Sequence, residues 1–239
     1  ALRNLARYKV SEKRFGYTVL CVVALLNAGV PATDPQVAEA IQYLCNQADA
    51  AMNDSYSGAY HGGLTLMLLG MLKNPALHRL AERVALQLHN FQEKSGGWGD
   101  NSRTQFALLG LKSARDLGVN VPQESFRRAR RFLEGGQNRD GGWGYHPGSG
   151  YSYGSMTAAA VSSLYIVTEQ DLKNSLQCGM QSNDAALNRG LDWLQRHFTV
   201  RQNPDASSHH YYYLYALERI GVLLGQKFIG GHEWYREGV

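Results

Sequence analysis

Scarcity is informative in this chain. Cysteine occurs only at Cys21, Cys45 and Cys178 among 239 residues. The number is odd, the three lie far apart, and no Cys-x-x-Cys spacing is present, which disfavours both a disulfide framework and a zinc knuckle. Cys21 and Cys45 fall in apolar helical segments and read as small core residues. No apolar run reaches about 18 residues, so no membrane span is predicted. Charge of one sign is also thin: the formal net charge is +4. The basic residues cluster only at Arg127, Arg128, Arg130 and Arg131, on one turn of a predicted helix, and read as a solvated outer face. Nucleic acid would need a longer basic stripe tied to aromatic platforms, and is not expected as a partner. There is no phosphate loop, dinucleotide fingerprint or His-Glu-x-x-His, and no cofactor is expected. Free-cysteine usage fits the cytoplasm. The chain opens without Met and already in helix-like sequence, so it is expected to be an excised piece of a longer protein with other domains, and the sequence leaves open a removed signal peptide.

What is abundant is repetition. Leu88, three residues, Gln92, three residues and Gly96-Gly97-Trp98-Gly99 recur as Leu133, Gln137 and Gly141-Gly142-Trp143-Gly144. A period of about 45 residues marks an array of one supersecondary unit. Helices of two kinds alternate. Tyr17–Ala28, Gly63–Leu72, Thr104–Leu117, Thr157–Val167 and Tyr211–Leu224 are apolar nearly all round and predict helices buried on every side. Pro35–Asn46, Ala76–Phe91, Gln123–Glu134 and Ala185–Phe198 are amphipathic and belong outside. Gly29, Gly118 and Gly221 stand where inner helices are expected to stop. The polar stretch 168–184 predicts an insertion loop. The expected fold is all-α: a single domain over 1–239, an α/α toroid of about five to six helical hairpins. Inner helices this apolar favour a closed ring over an open solenoid.

The segment Arg128–Trp143 (basic residue, Ala, aromatic-Leu, Gln, then Gly-Gly-Trp) resembles the repeat of squalene and oxidosqualene cyclases. Residues 88–98 match it with Gln87 in the aromatic slot, and Arg189–Leu194 carries its first half. Protein prenyltransferase β-subunits share the implied toroid. The chain also resembles uncharacterised bacterial proteins bearing this prenyltransferase/squalene-oxidase repeat, through Asp100–Leu111, Tyr153–Ala159 and His210–Arg219. In that repeat Gln92, Trp98, Gln137 and Trp143 are structural: Gln bonds open backbone groups of adjacent outer helices and Trp stacks on the neighbouring repeat.

The chemistry of the class does not follow. Terpene cyclases protonate an alkene or epoxide with an Asp inside a run of aspartates, and no Asp-x-Asp-Asp is present. Prenyltransferases hold zinc with Asp, Cys and His. His209 and His210 stand at an inner-helix start, but the Asp-x-Cys partner is missing, so no metal is expected. Gly150-Tyr151-Ser152-Tyr153-Gly154 fits the nucleophile-elbow pattern, yet a Gly-Pro loop precedes it where a strand is required. Position supplies the remaining candidates. Inner-helix starts converge at one mouth of a toroid, and there stand Tyr60, His61, Asp100, Asn101, Arg103, Tyr145, His146, Tyr151, Tyr153, His209, His210 and Tyr212. An aromatic, His-bearing mouth suits an isoprenoid, carbohydrate or peptide ligand. Asp100, Asn101 and Ser102 are equally good helix caps. The leading expectation is a ligand- or partner-binding toroid. The alternatives are an enzyme on the same barrel, polysaccharide-lyase-like or isoprenoid-processing, and a structural scaffold.

Overall fold

The computed structural model describes residues 15–54, 56–174, 184–225 and 227–238, with the backbone alone for 172–174. Cys178 and most of the predicted insertion loop lie outside the described residues. Among the described residues there are ten α-helices and no strand; backbone bridges occur only singly, as at Trp98 and Asp100. The helices are α1 (Phe15–Asn27), α2 (Pro35–Ala51), α3 (Gly58–Leu72), α4 (His78–Phe91), α5 (Asn101–Asp116), α6 (Gln123–Gly135), α7 (Gly154–Asn174), α8 (Ala185–Arg196), α9 (His210–Leu224) and α10 (Trp234–Gly238). A single 3-10 turn, Pro75–Leu77, leads into α4. The chain divides into two compact units. One holds residues 1–92 and 106–122, the other 93–105 and 123–239, so the start of α5 belongs to the second unit and the rest to the first.

In the first unit α3 packs against α1, α2 and α4. The amphipathic pattern of α2 explains its attitude: Val37, Ala40, Leu44 and Ala48 recur at helical spacing and are all buried. Its start is set by Asp34, whose carboxylate accepts from the N–H groups of Gln36 and Val37 at 3.0 and 3.3 Å, with Pro35 in the first turn. Helices α3 and α5 cross at two glycines. A Cβ on Gly63 would collide with the Phe106 carbonyl, and one on Gly110 would lie 2.6 Å from Gly63 Cα.

In the second unit α7 packs against α6, α8 and α9. Every residue from Gly154 to Leu164 is buried, as an all-round apolar helix demands. The flanking α6 and α8 present Phe126, Ala129 and Leu133, and Leu187, Trp193 and Leu194, each worth about 1.5–3 kcal/mol of burial for the larger side chains.

Several expectations are corrected. Helix α1 is not buried on all sides: Tyr17 and Leu20 are exposed, because the side opposite Val19 and Val22 carries no described neighbour. Helix α9 likewise exposes Tyr211 and Val222. Gly221 does not stop α9. It sits inside the helix, where the Trp234 ring occupies the space of its missing side chain, and Gly225 ends the helix in the left-handed conformation. Residues 168–174, assigned by composition to a loop, continue α7 to Asn174. Arg130 is no solvated outer charge. Its guanidinium bonds Thr168 Oγ1 at 2.7 Å, Asp184 at 2.8 Å and Asp171 at 3.1 Å, a set of partners sequence distance conceals.

Helix propensity alone makes Gly63→Ala stabilising by about 1 kcal/mol. The collision with Phe106 reverses the sign. The variant is expected to lose about 1–3 kcal/mol, as overpacking does, and a lowered urea midpoint checks it.

Candidate functional site

Each Gly-Gly-Trp-Gly segment forms the same turn. Glu93 N–H donates to Gly97 O at 2.9 Å, and Asn138 N–H donates to Gly142 O at 2.9 Å. Gly96 and Gly141 adopt φ of 97° and 93°, which favours glycine. A side chain at either would also run into the carbonyl of an arginine, Arg128 or Arg189, on the next outer helix. The backbone N–H of each tryptophan then donates to a threonine hydroxyl at 3.1 Å: Trp98 to Thr104 and Trp143 to Thr157. Those threonines are the fourth residues of α5 and α7, so the turn fixes where each inner helix begins. Trp143 Nε1 donates to Leu133 O at 2.8 Å, and Gln137 Nε2 bridges Gly141 O and Ala186 O at 2.8 and 2.9 Å. Trp98 is 2% exposed and Gln92, whose N–H donates to His89 O, is buried too.

Between tryptophan and threonine the two repeats differ. The first spans six residues and the second fourteen, so 145–152 is an eight-residue excursion placed between two anchors the repeats share. Its start is held by Asn101, whose N–H donates to Tyr145 O at 3.1 Å and whose Nδ2 donates to Gly144 O at 2.6 Å. Its end is held by Ser152, whose Oγ donates to Asp140 Oδ1 at 2.8 Å and accepts from Asn138 at 2.9 Å. Ser152 is therefore a brace, and a turn rather than a strand precedes it. Asp140 also accepts from Gly142 N–H and Trp193 Nε1, and although burial opposes it, these bonds hold its carboxyl below the usual range.

The excursion faces Asp100. That carboxylate is fully buried. Ser102 Oγ and Arg103 N–H donate to Oδ1 at 2.6 and 2.9 Å, and Arg103 Nε donates to Oδ2 at 2.7 Å. Burial alone would raise its pKa. The Ser102 hydroxyl, the two Arg103 donors and the Tyr145 phenol outweigh it and hold Asp100 ionised below the ordinary aspartate range. Tyr153 lies close enough to feel that charge. Burial first, then Tyr151 and Asp100, push its phenol up to about 12. Tyr151 stacks on Tyr153 with centroids 5.8 Å apart and planes at 22°, and is itself 62% exposed. The exposed His146 meets Tyr145 edge-on at 4.8 Å.

Asp100, Asn101, Arg103, Tyr145, His146, Tyr151 and Tyr153 thus gather in the second unit. The remaining candidates have partners of their own. Tyr60 packs edge-on against Phe106, and His61 donates through Nδ1 to Ala51 O at 2.7 Å with its ring against Phe15, all within the first unit. His209 lies 2.7 Å from Ser208 Oγ, and His210 Nε2 donates to Val200 O at 2.8 Å. Among the described residues no group of three His, Cys, Asp or Glu side chains could hold a metal ion. Tyr212 donates to Gln105 Oε1 at 2.6 Å, while Gln105 Nε2 donates to Ser162 Oγ at 2.9 Å. This buried polar chain escapes sequence reading, as does Asn203, which caps α7 through Ser155 N–H at 2.8 Å. Gln105 and Ser162 sit in apolar-looking helices, and only their polarity in that setting signals a link.

Residues 48–213 match the family model described as the squalene-hopene cyclase C-terminal domain. A squalene–hopene cyclase of Zymomonas mobilis subsp. mobilis is 25% identical, over 55% of this chain and 23% of its own length. The chain spans less than a quarter of that relative. No solved structure matches. Among the described residues no helix is long and apolar enough to cross a membrane.

A carboxyl held below its unfolded pKa adds stability above about pH 4 and loses it as pH falls through the folded value. In Asp100→Asn an amide can stand opposite Arg103 Nε, donor against donor. The variant is expected to be about 3 kcal/mol less stable at neutral pH, as when a buried pair loses one partner. The gap to the parent closes as the pH drops below about 4. Urea unfolding across that range reads both.

Proposed function

We propose that this chain, which belongs to the squalene-hopene cyclase C-terminal domain family and to its α/α-toroid fold class, binds a ligand at the Asp100–Tyr153 cluster and does not cyclise a terpene there. The relative's name concerns a protein more than four times the matched length, and its activity is not carried over whole.

The state of Asp100 carries this reading. An acid that protonates an alkene must hold its proton at working pH, which needs a raised pKa. Asp100 is shifted the other way, and its oxygens are already occupied by Ser102, Arg103 and Tyr145. Proton abstraction on the same barrel fares no better. Tyr153, with its pKa at about 12, stays protonated near neutral pH, and His209 and His210 are engaged with Ser208 and Val200. What remains is a preformed, aromatic, hydrogen-bonded surface, which suits recognition.

The purified protein incubated with squalene is expected to yield no polycyclic product above a protein-free blank by gas chromatography and mass spectrometry. Product formation that disappears in Asp100→Asn would overturn the binding reading. A ligand screen by thermal shift is expected to find a compound that raises the parent's Tm and raises that of Tyr151→Ala less at the same concentration, since only a ligand bound to the folded state stabilises it.

A further inference from the structure

We propose that the ligand of this cluster is a neutral glycan, with a pyranose ring stacked on Tyr151 and its hydroxyls turned toward the root of the 145–152 excursion. This rests on the binding reading above and names its ligand class. Four observations converge on it.

The first is the Tyr151 ring. It is 62% exposed, yet it lies nearly parallel to Tyr153 at 5.8 Å, so one face is supported while the ring stays open to solvent. A ring held in place before binding loses little rotamer freedom on binding. The C–H face of a sugar is apolar and ring-sized, and packs on such a surface while its hydroxyls stay free for hydrogen bonds.

The second is charge. Asp100 and Arg103 satisfy each other within the cluster, at 2.7 Å. The pair adds no net charge, so neither an anionic nor a cationic ligand finds an uncompensated partner there. A neutral ligand is the electrostatic match.

The third is an unmet acceptor. Asn101 is 1% exposed, and its Nδ2 is used on Gly144 O, but its Oδ1 is buried without a hydrogen-bond partner. A buried orphan acceptor costs about 1–3 kcal/mol. It stands at the root of the excursion, beside Gly144 and Tyr145, closed to solvent, so a ligand hydroxyl supplies the missing donor only as the excursion shifts to admit it.

The fourth is the interior behind the cluster. Gln105, Ser162, Thr157 and Ser155 are buried and polar along the starts and inner turns of α5 and α7. A long isoprenoid needs an apolar lining, and such groups oppose it. A peptide bound by strand addition needs a sheet edge, and among the described residues there is no strand to offer one.

The test is a panel of immobilised neutral glycans (α- and β-glucans, galactans and chitooligosaccharides), with farnesol and an uncharged peptide as comparison probes. At least one glycan is expected to bind the parent protein. Tyr151→Ala should weaken its Kd about tenfold, the scale of one lost stacking contact. Tyr151→Phe, which keeps the ring, should stay within about twofold. Tyr17→Ala, an exposed tyrosine of the first unit, should leave Kd unchanged. All three variants change exposed positions, so folding is retained. Glycan binding that ignores Tyr151, or no glycan binding at all, overturns the proposal. Farnesol or peptide binding that is lost in Tyr151→Ala overturns the glycan assignment and leaves the binding reading standing. Squalene turnover sinks the binding reading itself.

Discussion

The bond from a repeat tryptophan's backbone N–H to the threonine hydroxyl four residues into the next inner helix is the constraint on which the second unit depends. It is made twice at the same length, to Thr104 and to Thr157. A helix start leaves N–H groups without intrahelical partners, and the turn before it must meet the helix in one register. The paired glycines let the chain approach the Arg128 and Arg189 carbonyls, and the tryptophan then locks the register from the other side. Once both ends are fixed, the intervening chain is free in length, and that freedom creates the cluster around Asp100.

That cluster is built from opposed terms. Burying a carboxylate is costly, and Asp100 has no exposure at all. The cost is offset by donors that come from its own helix turn, Ser102 and Arg103, together with one from the excursion, Tyr145. The same bonds that make the ion tolerable hold its carboxyl below the ordinary aspartate range. A cyclase-family scaffold can thus keep its architecture while an aspartate at an inner-helix start serves as cap and counter-ion.

Much of the architecture was legible in the sequence, because periodicity and Gly-Gly-Trp-Gly report local geometry directly. Helices α2, α4, α6 and α8 bury the faces their spacing indicates. Other features depend on neighbours that spacing does not encode. Tyr17 and Leu20 look like core until the helix lacks a described partner on that side. Gly221 looks like a stop until Trp234 fills the space beside it. Arg130 looks like surface charge until Thr168, Asp171 and Asp184 close around it. At the candidate site, Asp100, Arg103, Tyr145, Tyr151 and Tyr153 were visible by position at helix starts. The eight-residue difference between the repeats needed the two threonines as markers, and the Gln105–Ser162–Tyr212 chain joins residues too far apart in sequence to be paired by eye.

The excursion 145–152 has its own fastenings. Asn101 clasps it at Gly144 and Tyr145, and Ser152 ties it to Asp140, a residue that also receives Trp193 from α8. None of these bonds involves a side chain between His146 and Tyr151. The segment is in effect a cassette: its ends are defined by the scaffold, and its middle is open to exchange. A few of its residues can be swapped without renegotiating the helices on either side. The same independence makes this interval a natural place to graft a chosen binding loop.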